Sequence, residues 1–193
     1  MKIVLATANK NKVLELSKLL PASIQLISLV DVGITEEIPE TGSTLEENAF
    51  IKANFVLEKL KTQNLNYAVL SDDSGLEVAA LNGLPGVNSA IYAGLPKNDH
   101  LNNLKLLNEL INCTNRQAKF KTVLCFINQK ISYFEGSING TIAYQLKGNN
   151  GFGYDPLFIP NGYTATFAEL SLELKNNLSH RAIAVTNFLK VVV

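Results

Sequence analysis

"AKFKTVLCFINQKISYFEGSINGTIA" (118–143) decides the fold class. Two runs rich in β-branched and aromatic residues flank the polar triplet Asn128–Lys130, the pattern of a long antiparallel hairpin that turns there. Toward the N-terminus, strands and helices alternate. "KIVLAT" (2–7) is a short β-type run, "KNKVLELSKLL" (10–20) has apolar residues at helical spacing and stops before Pro21, and "SIQLISL" (23–29) alternates like a strand. A polar loop over 31–43 leads into a helix over 44–62. Thr44 and Glu47 give that helix a capping-box start, and Leu45, Ala49, Val56 and Leu60 give it an apolar stripe. "NYAVLS" (66–71) is a strand that runs out at Asp72 and Asp73. Residues 76–86 are strand-like or short helical, then turns, and 98–111 form an amphipathic helix. Beyond the hairpin, 148–158 is a Gly-rich loop into a short strand, and 166–192 is helical with a break around Lys175–Ser179. A hairpin beside βαβ-like units predicts an α/β fold with a mixed sheet.

A chain of 193 residues with 47% hydrophobic content buries a sizeable core in one domain, or in one core with a lobe. Seventeen Lys and Arg balance seventeen Asp and Glu, which argues against a nucleic-acid partner but leaves room for a local anion pocket. Cys113 and Cys125 have no zinc or redox spacing, and Cys125 sits in the apolar run "TVLCFI". The N-terminal apolar run is too short for a signal peptide and no later segment suffices to cross a bilayer, so the expectation is a cytoplasmic protein with no membrane partner. The sequons at Asn139 and Asn177 are then chance matches. There is no repeat, low-complexity tract or long linker.

Several stretches carry chemistry. "TANKNK" (7–12) joins a strand to a helix, and a helix N-terminus with Thr7, Asn9, Lys10 and Lys12 suits a phosphate; a solvated turn with an Asn cap fits the same residues. Neither a Walker A motif nor the dinucleotide fingerprint GxGxxG is present. Glu40 and the Asp72–Asp73 pair suit Mg²⁺, which takes hard oxygen ligands and often only one or two carboxylates plus substrate phosphates. The alternative is that Asp72 caps a turn and Glu40 is solvated. Asn48 and Lys52 lie one turn apart on a helix, so Lys52 either reaches a phosphate or snorkels at the core edge. In "NNGFGYDP" (149–156), glycines permit close backbone approach while Phe152 and Tyr154 offer stacking surfaces; an ordinary tight turn with core aromatics fits too. In "KNNLSHRA" (175–182), His180 and Arg181 stand together as donors suited to a base carbonyl, and Ser179 suits a cap.

The order and joint presence of these stretches carry further than any one. "LATANKNKVLEL", "ETGSTLEENAFIKA", "SDDSGLEVAALNGLPGVNSAIYAG", "GFGYDPLF" and "TFAELSLELKNNLSHRA" together resemble the inosine/xanthosine triphosphate pyrophosphatase family over almost the whole chain. The resemblance implies a single domain over 1–193: an elongated mixed sheet flanked by helices, with two lobes and a nucleotide cleft between them. It implies a homodimer that uses Mg²⁺ to hydrolyse ITP, dITP and XTP to the monophosphate and pyrophosphate, clearing deaminated purines from the nucleotide pool. By the same resemblance, Thr7, Ala8, Asn9, Lys10, Asn11 and Lys12 form the phosphate loop. Glu40 and Asp73 form the metal site, with Asp72 beside them, and Asp73 is the general base. Lys52 contacts the triphosphate and Ser74 lies against the substrate. Phe152, Gly153, Tyr154 and Asp155 line the base pocket, which Lys175, His180 and Arg181 complete. A divalent cation is expected to let the two adjacent aspartates coexist, and Arg181→Ala is expected to raise KM more than it alters turnover. One departure stands out: Ile91 occupies the place of an Arg in the "SARYAG" form of the motif. The rivals are a pyrophosphatase for another modified nucleotide and a non-catalytic nucleotide-binding module.

Overall fold

The expected hairpin is present and forms the spine of the sheet. In a computed structural model of the chain, which describes residues 1–192, β4 (Gln117–Ile127) and β5 (Ile131–Ile142) are joined at a turn in which Asn128 N–H donates to the Lys130 carbonyl. The other strands are β1 (Lys2–Leu5), β2 (Gln25–Ile27), β3 (Ala68–Val78) and β6 (Phe158–Pro160). Their order is β2–β1–β3–β4–β5–β6. β1 is parallel to both β2 and β3, whereas β6 is antiparallel to β5, so the sheet is mixed. The helices are α1 (Lys10–Leu19), α2 (Leu45–Thr62), α3 (Asp99–Glu109), α4 (Leu172–Leu178) and α5 (His180–Val192).

The chain divides into two compact units made of interleaved segments. Unit 1 comprises Met1–Asp73, Thr122–Gly136 and residues 181–192; unit 2 comprises Ser74–Lys121 and Ser137–His180. In unit 1, Ile3, Leu5, Leu70, Leu124 and Phe126 of the strands pack with Leu16 of α1 and Phe188 of α5. The α2 stripe Leu45, Ala49, Val56 and Leu60 is buried as its spacing requires. In unit 2, Leu76, Phe120 and Phe158 of the strands pack with Leu106 and Leu110 at α3 and with Phe167. Each such fully buried large side chain stabilises the fold by roughly 1.5–3 kcal/mol.

The structure departs from expectation in instructive places. β3 does not end at Ser71 but runs on through Asp72, Asp73, Ser74 and Gly75 to Val78. An Asp-Asp-Ser-Gly run is a turn signal by local preference; here ion pairs made by both aspartates accompany an extended backbone, as described below. At α2, Thr44 Oγ1 accepts from Glu47 N–H as a capping box demands, but the Glu47 carboxylate reaches back one residue further, to Ser43 N–H and Oγ. The break in the C-terminal helix is confined to Ser179, whose ψ of 158° separates α4 from α5, and Lys175 lies inside α4.

Candidate active site

The β1–α1 connection turns on Asn9. Its Oδ1 accepts from Asn11 and Lys12 N–H at 2.9 and 3.2 Å, and its own N–H donates to Thr7 Oγ1. These bonds satisfy two of the donors left open at the start of α1. The Asn cap of this stretch is therefore present, with Ala8, Lys10 and Asn11 exposed. Lys12 behaves differently. Its ammonium turns onto β3, donating to Asp72 Oδ1 at 2.5 Å and to the Asp72 carbonyl at 3.2 Å, with 13% of its side chain exposed.

β3 then separates the two aspartates. Successive side chains of a strand point to opposite faces. Asp72, fully buried, meets Lys12 of α1 and Arg181 of α5, whose Nε donates to Asp72 Oδ2 at 2.7 Å. Arg181 Nη1 pairs in addition with Glu15 of α1, a residue the sequence reading passed over. Glu15 lies one turn beyond Lys12 on the same helix face, a spacing that would have signalled it. Asp73 points the other way, to α2, where Lys52 Nζ donates to its Oδ1 at 2.5 Å and to Glu40 Oε1 at 3.1 Å. The expected divalent cation is thus not what lets the pair coexist: each carboxylate has its own cation from the protein.

These environments drive the neighbours apart. Burial pushes the Asp72 carboxyl up, but Arg181 and Lys12 outweigh it and hold Asp72 well below the ordinary aspartate value. Burial also pushes Asp73 up, and there it prevails over Lys52 and Lys12, so Asp73 ends above the ordinary value. Lys52 is pulled down by burial yet held up, on balance, by Asp73 and Glu40. Burial, with the Lys52 and Arg181 charges, lowers Lys12. Asp73 Oδ2 is buried and has no hydrogen-bond partner among the described residues. A carboxyl with a raised pKa and an unused oxygen is equipped to take a proton or to face a cation.

The loop bearing Glu40 is fixed to α2. Gly42 N–H donates to Asn48 Oδ1 at 2.7 Å, which gives Asn48 a structural role. A Cβ on Gly42 would lie 2.7 Å from Glu47 Cβ and 2.9 Å from Asn48 N, so only glycine admits this approach.

Unit 2 holds a second cluster. Lys175 Nζ donates to Asp155 Oδ2 at 2.5 Å and stands 5.1 Å from the centroid of the Phe152 ring and 5.6 Å from that of Phe167. Asp155 Oδ2 also accepts from Phe152 N–H at 2.8 Å, closing the loop on itself. Gly151 has φ of +77°, and a Cβ there would come within 1.9 Å of that oxygen. Tyr154 is buried and donates to the Ser89 carbonyl at 2.9 Å. His180 stacks on Phe120, with ring centroids 4.6 Å apart and planes within 9°. Ser74, half-buried, is the first residue of unit 2. The structure therefore brings Phe152, Asp155 and Lys175 together in one unit and Lys12, Lys52, Asp72, Asp73, Glu40 and Arg181 in the other.

Cys113 and Cys125 are both free thiols, and burial pushes the Cys125 thiol up to about 12, which leaves it inert. Among the described residues no helix is long and apolar enough to cross a membrane. Ile91 is 37% exposed.

Comparison with known proteins adds an independent line. A model described as the Ham1 family matches residues 3–191. The chain is similar to a dITP/XTP pyrophosphatase of Flavobacterium psychrophilum, 53% identical and aligned over 95% of each chain, and to one of Porphyromonas gingivalis, 45% identical over 95% of this chain and 93% of that one. Among solved structures it resembles the Ham1 protein of Staphylococcus aureus (TM-score 0.87, 40% identity) and a HAM1 protein of Coxiella burnetii (TM-score 0.87, 37% identity). Each alignment covers 100% of this chain and 98% of the other.

Proposed function

The chain belongs to the Ham1 family, and from that premise we propose that it hydrolyses dITP, XTP and ITP to the monophosphate and pyrophosphate. The observation that carries the catalytic part is Asp73: buried, raised in pKa beside Lys52, with Oδ2 unpartnered. In this reading a water attacks the α-phosphorus and gives its proton to Asp73 Oδ2. The α–β anhydride bond breaks and pyrophosphate leaves. Lys12 makes two hydrogen bonds to Asp72, which leaves the third N–H of its ammonium for a phosphate oxygen. Lys52 and the amide of Asn9 supply further donors, and the Thr7–Lys12 turn, exposed at residues 8–11, admits the anion.

Magnesium fits the donor set. Glu40 and Asp73 offer hard oxygens, and the described residues hold no group of three or more His, Cys, Asp or Glu able to cage an ion unaided. That is the mode in which Mg²⁺ relies on one or two carboxylates and on substrate phosphates. Bound there, it would neutralise charge on the triphosphate. Asp72, engaged by Lys12 and Arg181, is a supporting anion in this scheme.

The base is assigned to unit 2: Phe152 and Tyr154 beside the glycines, with Gly153, Asp155, Lys175 and His180. Hypoxanthine and xanthine carry a carbonyl at position 6 where adenine carries an amino donor. A protein donor set against that amino group leaves both unsatisfied, at about 1–3 kcal/mol, which disfavours ATP. The same reading makes the enzyme a cytoplasmic homodimer of one catalytic domain per chain. The test is pyrophosphate release from dITP, XTP, ITP, GTP and ATP, with Mg²⁺ and then with EDTA. Fast, metal-dependent release from the first three supports the reading. Release of single phosphates refutes the site of attack, and binding without turnover moves the protein to a non-catalytic nucleotide-binding module.

A further inference from the structure

Gly153 is held at both of its backbone polar groups by one helix. Its N–H donates to Asp99 Oδ2 at 2.7 Å, and its carbonyl accepts from Asn103 Nδ2 at 2.7 Å. Asp99 is the first residue of α3, and Asn103 lies one turn on, 3% exposed. The same Asn103 amide donates to the Asp99 carbonyl at 2.8 Å, which ties the two grips into one unit. The N–H and carbonyl of a residue belong to successive peptide planes. Fixing both fixes φ and ψ between them, and here φ is +61°, in the left-handed region. Phe152 and Tyr154 flank that residue, so its dihedrals set their relative directions. Neither Asp99 nor Asn103 was singled out by the sequence.

We propose that Asp99 and Asn103 are positioning residues for base recognition, a clamp that holds the Phe152–Tyr154 backbone in its ligand-ready form. The inference rests on the reading that residues 152–155 receive the purine. Pre-setting such a loop lowers the ordering cost of binding, so its loss appears in KM before it appears in turnover at saturation.

The test compares the full-length protein with Asn103→Asp, Asp99→Ala, Asp99→Asn and Asn98→Ala. Asn103→Asp keeps the volume but replaces the amino group that donates to both carbonyls by an acceptor oxygen that faces them. Asp99→Asn keeps an acceptor oxygen for Gly153. Asn98→Ala removes the α3 cap, which bonds Leu101 N–H, without touching Gly153. Steady-state kinetics with dITP and XTP, NMR exchange of the Gly153 amide and thermal melting are read together. Expected are a KM rise of about 10- to 100-fold for Asn103→Asp and Asp99→Ala with kcat within about threefold, and faster Gly153 exchange. Asp99→Asn recovers most of the loss, and Asn98→Ala lowers the melting point with KM unchanged. A KM that follows melting temperature across all four variants, or unchanged Gly153 exchange in an active enzyme, overturns the clamp. A wild-type protein that releases no pyrophosphate overturns the function reading and the base-positioning role with it.

Discussion

Arg181→Met exposes the logic of the buried charge cluster. The substitution keeps most of the volume and removes the guanidinium that pairs with Asp72 and Glu15. Both carboxylates are almost wholly buried, so water cannot replace the lost partner. Breaking such a pair costs about 3–5 kcal/mol, against about 0–1 kcal/mol for an exposed one. For a chain of this size that is a fall in melting temperature of about 6–20 °C. The pH dependence follows from the shifts. In the wild type Asp72 is held well below the ordinary aspartate value, chiefly by Arg181 against the cost of burial. Its contribution is complete above the unfolded value and is lost as pH falls through the folded one. Without the guanidinium, Lys12 alone opposes burial at Asp72, so that carboxyl titrates higher in the variant than in the wild type. The stabilisation lost with Arg181 is complete at neutral pH and shrinks on acidification. The stability gap between wild type and variant is therefore widest near about pH 7.5 and narrows as pH falls through the variant's Asp72 value toward the wild type's lower one. Urea unfolding across that range measures it. A gap below about 1 kcal/mol, or one that does not change with pH, would refute the argument.

Further outcomes follow from the same geometry. Asp73→Asn lowers kcat by about 10²–10⁴-fold with saturating Mg²⁺ if Asp73 is the base, and near-normal turnover removes it from that role. Gly42→Ala forces its Cβ against Glu47 Cβ and Asn48 N; expected are a loss of about 1–3 kcal/mol and a higher Mg²⁺ concentration for half-maximal activity, since Glu40 moves with the loop. Gly151→Ala drives Asp155 Oδ2 off Lys175 and Phe152 N–H at a positive φ, so KM for dITP rises at least about tenfold while urea titration shows a loss of about 1–3 kcal/mol.

Much of this was legible because it was local. The hairpin turn at Asn128–Lys130, the Thr44 cap and the stripe of α2 each depend on residues within a few positions of one another. Asn9 shows the limit: its cap and the phosphate role proposed for it are equally readable, and spacing alone does not choose between them. Asp72 and Asp73 were read as the end of a strand because their counter-ions are remote in sequence. Lys12 lies 60 residues from Asp72, and Arg181 lies 109 away. Arg181 illustrates the same point from the other side. The family resemblance assigned it to the base, whereas the fold sets it between two buried carboxylates 166 and 109 residues distant. The Asp99–Asn103 grip on Gly153, bridging 54 and 50 residues, left no local trace.

The alternation of β3 has an evolutionary consequence. The residue that steadies the α1–α5 layer and the residue assigned to the reaction are bonded neighbours, with Cα atoms about 3.8 Å apart. A shift in the Glu15–Arg181–Asp72 cluster therefore reaches Asp73 through one peptide plane. Mutational paths through these positions are narrow: an exchange at Glu15 tolerable on packing grounds becomes visible to selection on turnover. Thermostability campaigns on this scaffold have more freedom at the exposed C-terminal end of α2 than at any charge touching β3.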